Sequence, residues 1–268
     1  MAQDTLRGTP EKAGYVLEWH DEFDGAGLDL AKWVPYYLPQ WSSRSRSAPN
    51  YQLRDSCLVL QITEDQQPWC PEFDGEIKAS SVQTGLFAGP VGSRQGQLQF
   101  SPQLVVREAQ TNVRLYTPQY GYIECRARCC ATAGVHVSLW MIGYEDVPAH
   151  SGEIAVFEVF GKDLAEHSAV VCSGVHPWGD PALSEAFYCD PLPIDATQFH
   201  RYAVEWTPRH IDYFVDDQLL RRIEQSPAYP LQLMLSIFER PGGDQRAPYP
   251  REFAVDYVRV YQPQGGYE

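Results

Sequence analysis

Glu153 and Glu158 sit five residues apart in the run Gly152-Glu153-Ile154-Ala155-Val156-Phe157-Glu158-Val159-Phe160-Gly161. Everything else in that run is apolar, β-branched or aromatic, which reads as a buried or half-buried strand. Carboxylates in such a setting are costly and need a reason. Two of them on one face of a cleft can cleave a glycosidic bond: one attacks the sugar and the other carries the proton. In a regular strand, residues an odd number apart lie on opposite faces. One β-bulge between Ala155 and Glu158 would return both to one face. The glutamates would then stand four steps apart, about 13 Å between Cα atoms. Side chains leaning toward each other close that to about 5–6 Å, near the separation of a retaining glycosidase.

Further segments lie around this pair in order. Leu17-Glu18-Trp19-His20-Asp21-Glu22-Phe23-Asp24-Gly25 precedes Leu28-Asp29 and Trp33. Tyr120-Gly121-Tyr122-Ile123-Glu124-Cys125-Arg126-Ala127-Arg128 and Leu139-Trp140-Met141 come next. After the pair come His200-Arg201-Tyr202-Ala203-Val204-Glu205-Trp206-Thr207-Pro208, then Val215-Asp216, then Val255-Asp256-Tyr257-Val258-Arg259-Val260-Tyr261-Gln262. Together these segments resemble glycoside hydrolase family 16, the laminarinase- and lichenase-like enzymes. The likeness spans nearly the whole chain and centres on that family's Glu-x-Asp-x-x-Glu motif.

The resemblance implies roles. Glu153 would be the nucleophile and Glu158 the general acid and then base. Trp140 would support the sugar nearest the reaction. His176 and Trp178, in Val175-His176-Pro177-Trp178-Gly179-Asp180, match a segment that lines the family's cleft. Trp41, Asn50 and Tyr51 come from the region of distal sugar contacts. Glu22 and Asp256 match places near the termini where relatives bind a structural calcium; no other cofactor is required. The implied activity is that of a retaining endo-glycosidase on a polysaccharide, a β-glucan or related β-linked glycan. A transglycosylase needs the same two glutamates, and a non-catalytic carbohydrate-binding sandwich is the other alternative.

One position departs from the motif: its middle Asp is Ala155 here. A third carboxylate would raise its neighbours' proton affinity. Without it, burial and local donors must separate the two glutamates; His176, Tyr122 and His136 are the candidate donors.

Composition narrows the partners. The formal net charge of −14 argues against nucleic acid and anionic membrane surfaces. No run of apolar residues is long enough for a membrane-spanning helix. The first ten residues lack the apolar core of a signal peptide, so the chain as written reads as cytoplasmic, or as secreted if a leader has been removed. Seven cysteines at irregular spacing do not look like a disulfide framework and are expected to be buried thiols.

The elements that must position the pair have period two. Tyr202, Val204 and Trp206 alternate with polar or small neighbours, as do Ile211, Tyr213 and Val215. Asp216-Asp217 fits a tight hairpin, because Asp tolerates positive φ. Phe253, Val255, Tyr257 and Arg259 alternate in turn. Segments 66–75 and 173–193 read as loops that rim a cleft. The expected fold is all-β: a jelly-roll sandwich of two antiparallel sheets with a concave carbohydrate-binding cleft. The chain reads as a single domain over 1–268, with 1–14 a flexible N-terminal extension, and as a monomer.

Overall fold

The computed structural model describes residues 10–244 and 246–267. It is a jelly-roll sandwich of two antiparallel sheets. The outer sheet has eight strands. They run across it as Gln218–Ile223, Ile211–Val215, His200–Trp206, Gly121–Arg128, Arg251–Pro263, Cys57–Ile62 and Asn50–Arg54. Tyr15–Asp21 pairs with Arg251–Pro263 as well. The second sheet has seven strands and carries the cleft. Its order is Leu164–Ala165, Ser168–His176, Glu153–Phe160, Val135–Gly143, Leu231–Glu239 and Lys78–Gln83. Ala186–Leu192 pairs with Ser168–His176.

Alternation explains the main core. Inward residues of both sheets interdigitate there: Ile123, Cys125 and Ala127 from one side, Val135, Val137, Leu139 and Met141 from the other. The other face of the cleft sheet is not left to water. Tyr37, Trp69, Leu98, Trp140, Met234 and Phe238 form a second apolar cluster there, contributed by loops as well as strands. That cluster is the base of the cleft. Such a face reads as inward and outward apolar at once, which period-two reasoning does not anticipate.

Three local expectations meet the structure directly. Asp216 and Asp217 both take positive φ, 48° and 64°, and close the hairpin between Ile211–Val215 and Gln218–Ile223. Segment 173–193 is not one loop. It contains the end of Ser168–His176 and the strand Ala186–Leu192. Pro191 disguised that strand, yet an edge position tolerates a missing N–H. The seven expected thiols are five: Cys172 and Cys189 lie opposite each other on neighbouring strands and form a disulfide. They are 17 residues apart in sequence and 3.9 Å apart at Cα. Only strand register makes them neighbours, so spacing could not reveal the pair.

The expected N-terminal extension lies partly outside the described residues. Within it, the Lys12 ammonium sits 3.6 Å from the Tyr122 ring centroid, and Gly14 O accepts from Gln264 N–H.

Candidate active site

The odd spacing of the glutamates is absorbed as the strand argument requires. Ile142 stands opposite Glu153, Trp140 opposite Ala155, Leu139 opposite Phe157 and Ser138 opposite Glu158. Val156 is the extra residue of a bulge. Val156 and Phe157 therefore both enter the core. The ladder on the other side slips at the same place, with His176 opposite Glu153 and Cys172 opposite Glu158. Both carboxylates line one cavity of about 210 Å³, together with Trp140, Trp178, His136 and Ser138.

Glu153 is held from the following loop. Trp178 Nε1–H donates to Glu153 Oε2 at 2.6 Å. Trp178 adopts a left-handed backbone, φ 44°, which a bulky residue keeps only when its surroundings impose it. Here they do. Gly179 N–H donates to Ser151 Oγ at 2.9 Å. The Tyr229 hydroxyl accepts from Gly152 N–H at 2.7 Å and donates to Asp180 at 2.5 Å. One tyrosine thus ties the Trp178 loop to the residue before Glu153. A Cβ on Gly152 would stand 2.6 Å from that hydroxyl, so the position requires glycine. Burial and the charge of Glu158 push the Glu153 carboxyl up to about 8, while the Trp178 bond works in the opposite direction.

Glu158 faces a different set of groups. His136 Nε2 lies 3.0 Å from Glu158 Oε2. The imidazole is buried between Phe160 and Phe238, with ring centroids at 4.3 and 5.4 Å. Neither His136 nitrogen makes an aligned hydrogen bond, and Ser138 Oγ has no partner among the described residues. Buried polar atoms are seldom left unpaired in a finished structure. Ser138 and His136 thus leave hydrogen-bonding capacity beside the carboxylate in the cavity.

The family model for glycosyl hydrolases family 16 matches residues 108–259. The chain belongs to this family. Among curated proteins it is 24% identical to glucan endo-1,3-beta-glucosidase A1 of Niallia circulans, over 98% of this chain and 40% of that protein. It is also 24% identical to keratan-sulfate endo-1,4-beta-galactosidase of Sphingobacterium multivorum, over 92% of this chain and 55% of that one. The chain thus spans about half the length of such relatives or less. A solved structure of the GlcNAcα1-4Gal-releasing endo-β-galactosidase from Clostridium perfringens superposes with a TM-score of 0.85 and 33% identity, covering 97% of this chain and 65% of that one. A laminarinase from Flavobacterium sp. UMI-01 superposes at 0.63 with 20% identity, covering 92% of this chain and all of that one, a likeness of fold.

Within the family 16 frame, the structure sorts the sequence candidates. Trp140 lines the cavity, its Nε1–H donating to Ser236 Oγ at 3.1 Å. Trp178 lines it too and stays half exposed. His176 stands across the ladder from Glu153, paired with Glu185 at 2.8 Å and packed against Phe187. Trp41 is not a cleft residue: it is fully buried in the second apolar cluster, with its indole N–H on Gln97 O at 2.7 Å. Asn50 and Tyr51 lie on the far edge strand of the outer sheet, and Asn50 is occupied by Gln66. Tyr122 is also on the outer sheet, packed against Tyr15 and Phe214, so it cannot tune the glutamates by contact.

The two residues expected to hold calcium both have cationic partners. Glu22 takes a two-pronged bond from Arg259, both contacts at 2.8 Å. Asp256 takes Arg126 Nη1 at 2.6 Å. A guanidinium supplies positive charge at each carboxylate, and a calcium site there would need further oxygens to reach six or more. Sequence reasoning named His136 only as one donor among three and passed over Tyr37, Phe238 and Glu145. Tyr37 and Phe238 line the cavity from a loop and a strand remote in sequence, and no local signal marks them.

Proposed function

We propose that this chain is an endo-acting glycoside hydrolase that cleaves β-linked galactosides in a glycan with retention, by double displacement. The observation that carries the reading is the bulged strand, which turns Glu153 and Glu158 onto one face of a cavity. Galactosides are favoured over glucans because likeness to the Clostridium perfringens endo-β-galactosidase exceeds that to the laminarinases in both identity and superposition. Glu153 attacks the anomeric carbon and forms a glycosyl-enzyme. Glu158 gives its proton to the departing oxygen, then removes one from the incoming water. His136 stabilises the Glu158 carboxylate left after proton donation. Trp178 does the same for the charged form of Glu153. Burial and these two donors separate the two glutamates without a carboxylate at position 155. The Cys172–Cys189 disulfide supports an oxidising compartment for the working protein.

The raised carboxyl of Glu153 favours a second reading, in which the roles are exchanged and Glu153 is the acid. Neighbouring carboxyls titrate as a pair, so a proton found on Glu153 in the empty cleft does not assign its place once a sugar is bound. One experiment separates the readings. Glu158→Ala is given an activated aryl galactoside and azide. Under the first reading azide intercepts the glycosyl-enzyme, and the product keeps the substrate's anomeric configuration. Inverted glycosyl azide assigns the nucleophile to Glu158. Release of reducing ends from a polysaccharide panel tests the substrate: cleavage of β-1,3-glucan without cleavage of any galactoside removes the galactoside assignment. No cleavage of anything supports the binding-only alternative.

A further inference from the structure

The Cys172–Cys189 disulfide lies in the cleft sheet beside the reacting acids. Ser138, Glu158, Cys172 and Cys189 stand directly opposite one another on four successive strands. Residues opposed across an antiparallel ladder point to the same face, with Cβ atoms about 4.5–5.5 Å apart. The disulfide is therefore on the cleft face, one strand from Glu158. On its other flank Glu158 has Ser138, and His136 Nε2 at 3.0 Å. One flank is thus polar. The other is closed by sulfur, since Cys172 is only 2% exposed.

Cys189 belongs to the edge strand Ala186–Leu192, which pairs with Ser168–His176 and with no other strand among the described residues. Phe187 projects on the same face two residues earlier. Its ring packs against His176, with centroids 4.6 Å apart, and His176 is the ladder partner of Glu153. A single edge strand thus backs the neighbours of both glutamates. Such a strand is hydrogen-bonded along one side alone. The ion pair of Asp190 with Arg221, at 2.6 Å, holds its other face. On the cleft face, covalent fixation falls to the disulfide.

We propose that this disulfide is a positioning crosslink for Glu158, so that proton delivery to the departing oxygen follows the thiol state of the pair. That role rests on the reading of Glu158 as acid and base. With the bond intact, sulfur closes the flank beside the Glu158 stem, and the carboxyl is directed toward His136 and the cavity. With the bond open, the edge strand keeps only its ladder there, and Cys172 gains an S–H beside the carboxyl. Glu158 then has a second orientation, and fewer molecules present the acid to the glycosidic oxygen. Cys189 is exposed at the sheet edge, where a dithiol reductant reaches it. One reductant thiolate bonds to Cys189 Sγ, the S–S bond breaks, and Cys172 leaves as a thiolate that takes a proton. The second reductant thiol then displaces Cys189 and closes the reductant's own disulfide. Two electrons pass to the pair, which ends as two thiols.

The test compares two substrates in two redox states. One is the natural glycan, whose leaving group needs a proton. The other is an activated aryl glycoside of the same sugar, whose leaving group needs none. Dithiothreitol should lower kcat/KM on the glycan about tenfold, part of the roughly 10²–10⁴ that a general acid supplies. The aryl glycoside should lose less than about twofold, and reoxidation should restore the glycan rate. Unfolding would remove equal fractions of both activities, so the ratio of the two is blind to it. Cys189→Ser should match the reduced parent in that ratio and ignore dithiothreitol. A ratio unchanged by reduction overturns the positioning role, and so does a response to reductant that survives in Cys189→Ser. If the oxidised enzyme turns over glycan in either of those cases, the hydrolase reading stands without the crosslink's role. A protein with no turnover in either redox state overturns both.

Discussion

Trp178→Phe isolates one bond of the site. Phenylalanine keeps an aromatic wall but has no N–H for Glu153 Oε2, which now accepts one at 2.6 Å. A hydrogen bond to a charged acceptor is worth roughly 1.5–3 kcal/mol. The indole is 46% exposed, so water replaces part of it and the lower end applies. About 1.4 kcal/mol corresponds to one pH unit in the carboxyl. The direction follows from the forces on Glu153. Burial and Glu158 already push it up to about 8, and Trp178 is the one named influence that opposes them. Removing it pushes the carboxyl higher still. The assay is a pH profile of kcat/KM on one soluble glycan. Its limb set by the carboxylate pair should move about one unit to higher pH, with about tenfold loss at neutral pH. An unmoved profile with only a raised KM would refute the argument and leave Trp178 as a wall of the cleft.

Three further outcomes are expected. Ala155→Asp adds a carboxylate at a fully buried position across the ladder from Trp140 and Gly174, and should lower activity or move the pH optimum upward; a large gain of activity from an inert parent would mean that Ala155 marks decay. Glu145→Gln should make the protein more stable at pH 8 than at pH 5 relative to the parent, by at most a few kcal/mol. The unfolded chain gives up this proton near 4.5 and the folded one near 8, so parent stability drains away across that window; equal melting shifts at both pH values would contradict this. Thiol titration of the denatured, unreduced protein should find five thiols, and reductant should cost about 3 kcal/mol of stability for a crosslink of this span; seven thiols would rule out the Cys172–Cys189 bond.

The carboxylate pair was legible in the chain because a charge inside an apolar strand is expensive wherever that strand ends up. The same local logic made the bulge necessary: two side chains an odd number apart reach one face only if a residue is extruded, and Val156 is that residue. Period-two alternation and the Asp216-Asp217 turn carried the sandwich, since both are properties of a few consecutive residues. What surrounds the pair was decided elsewhere. His136 meets Glu158 and Trp178 meets Glu153 through strand register and loop closure, and neither leaves a trace in spacing. Cys172 finds Cys189 the same way. Trp41 shows the converse error: an aromatic residue type suits a sugar wall and a core equally well, and only packing of the loops onto the outer face of the sheet placed it inside. Glu22 and Asp256 meet Arg259 and Arg126 through the packed sheets as well. Residue type and short-range period are written along the chain. Partnership between separate strands and loops is a property of the packed sheets, and it is there that a pair of acids becomes a site.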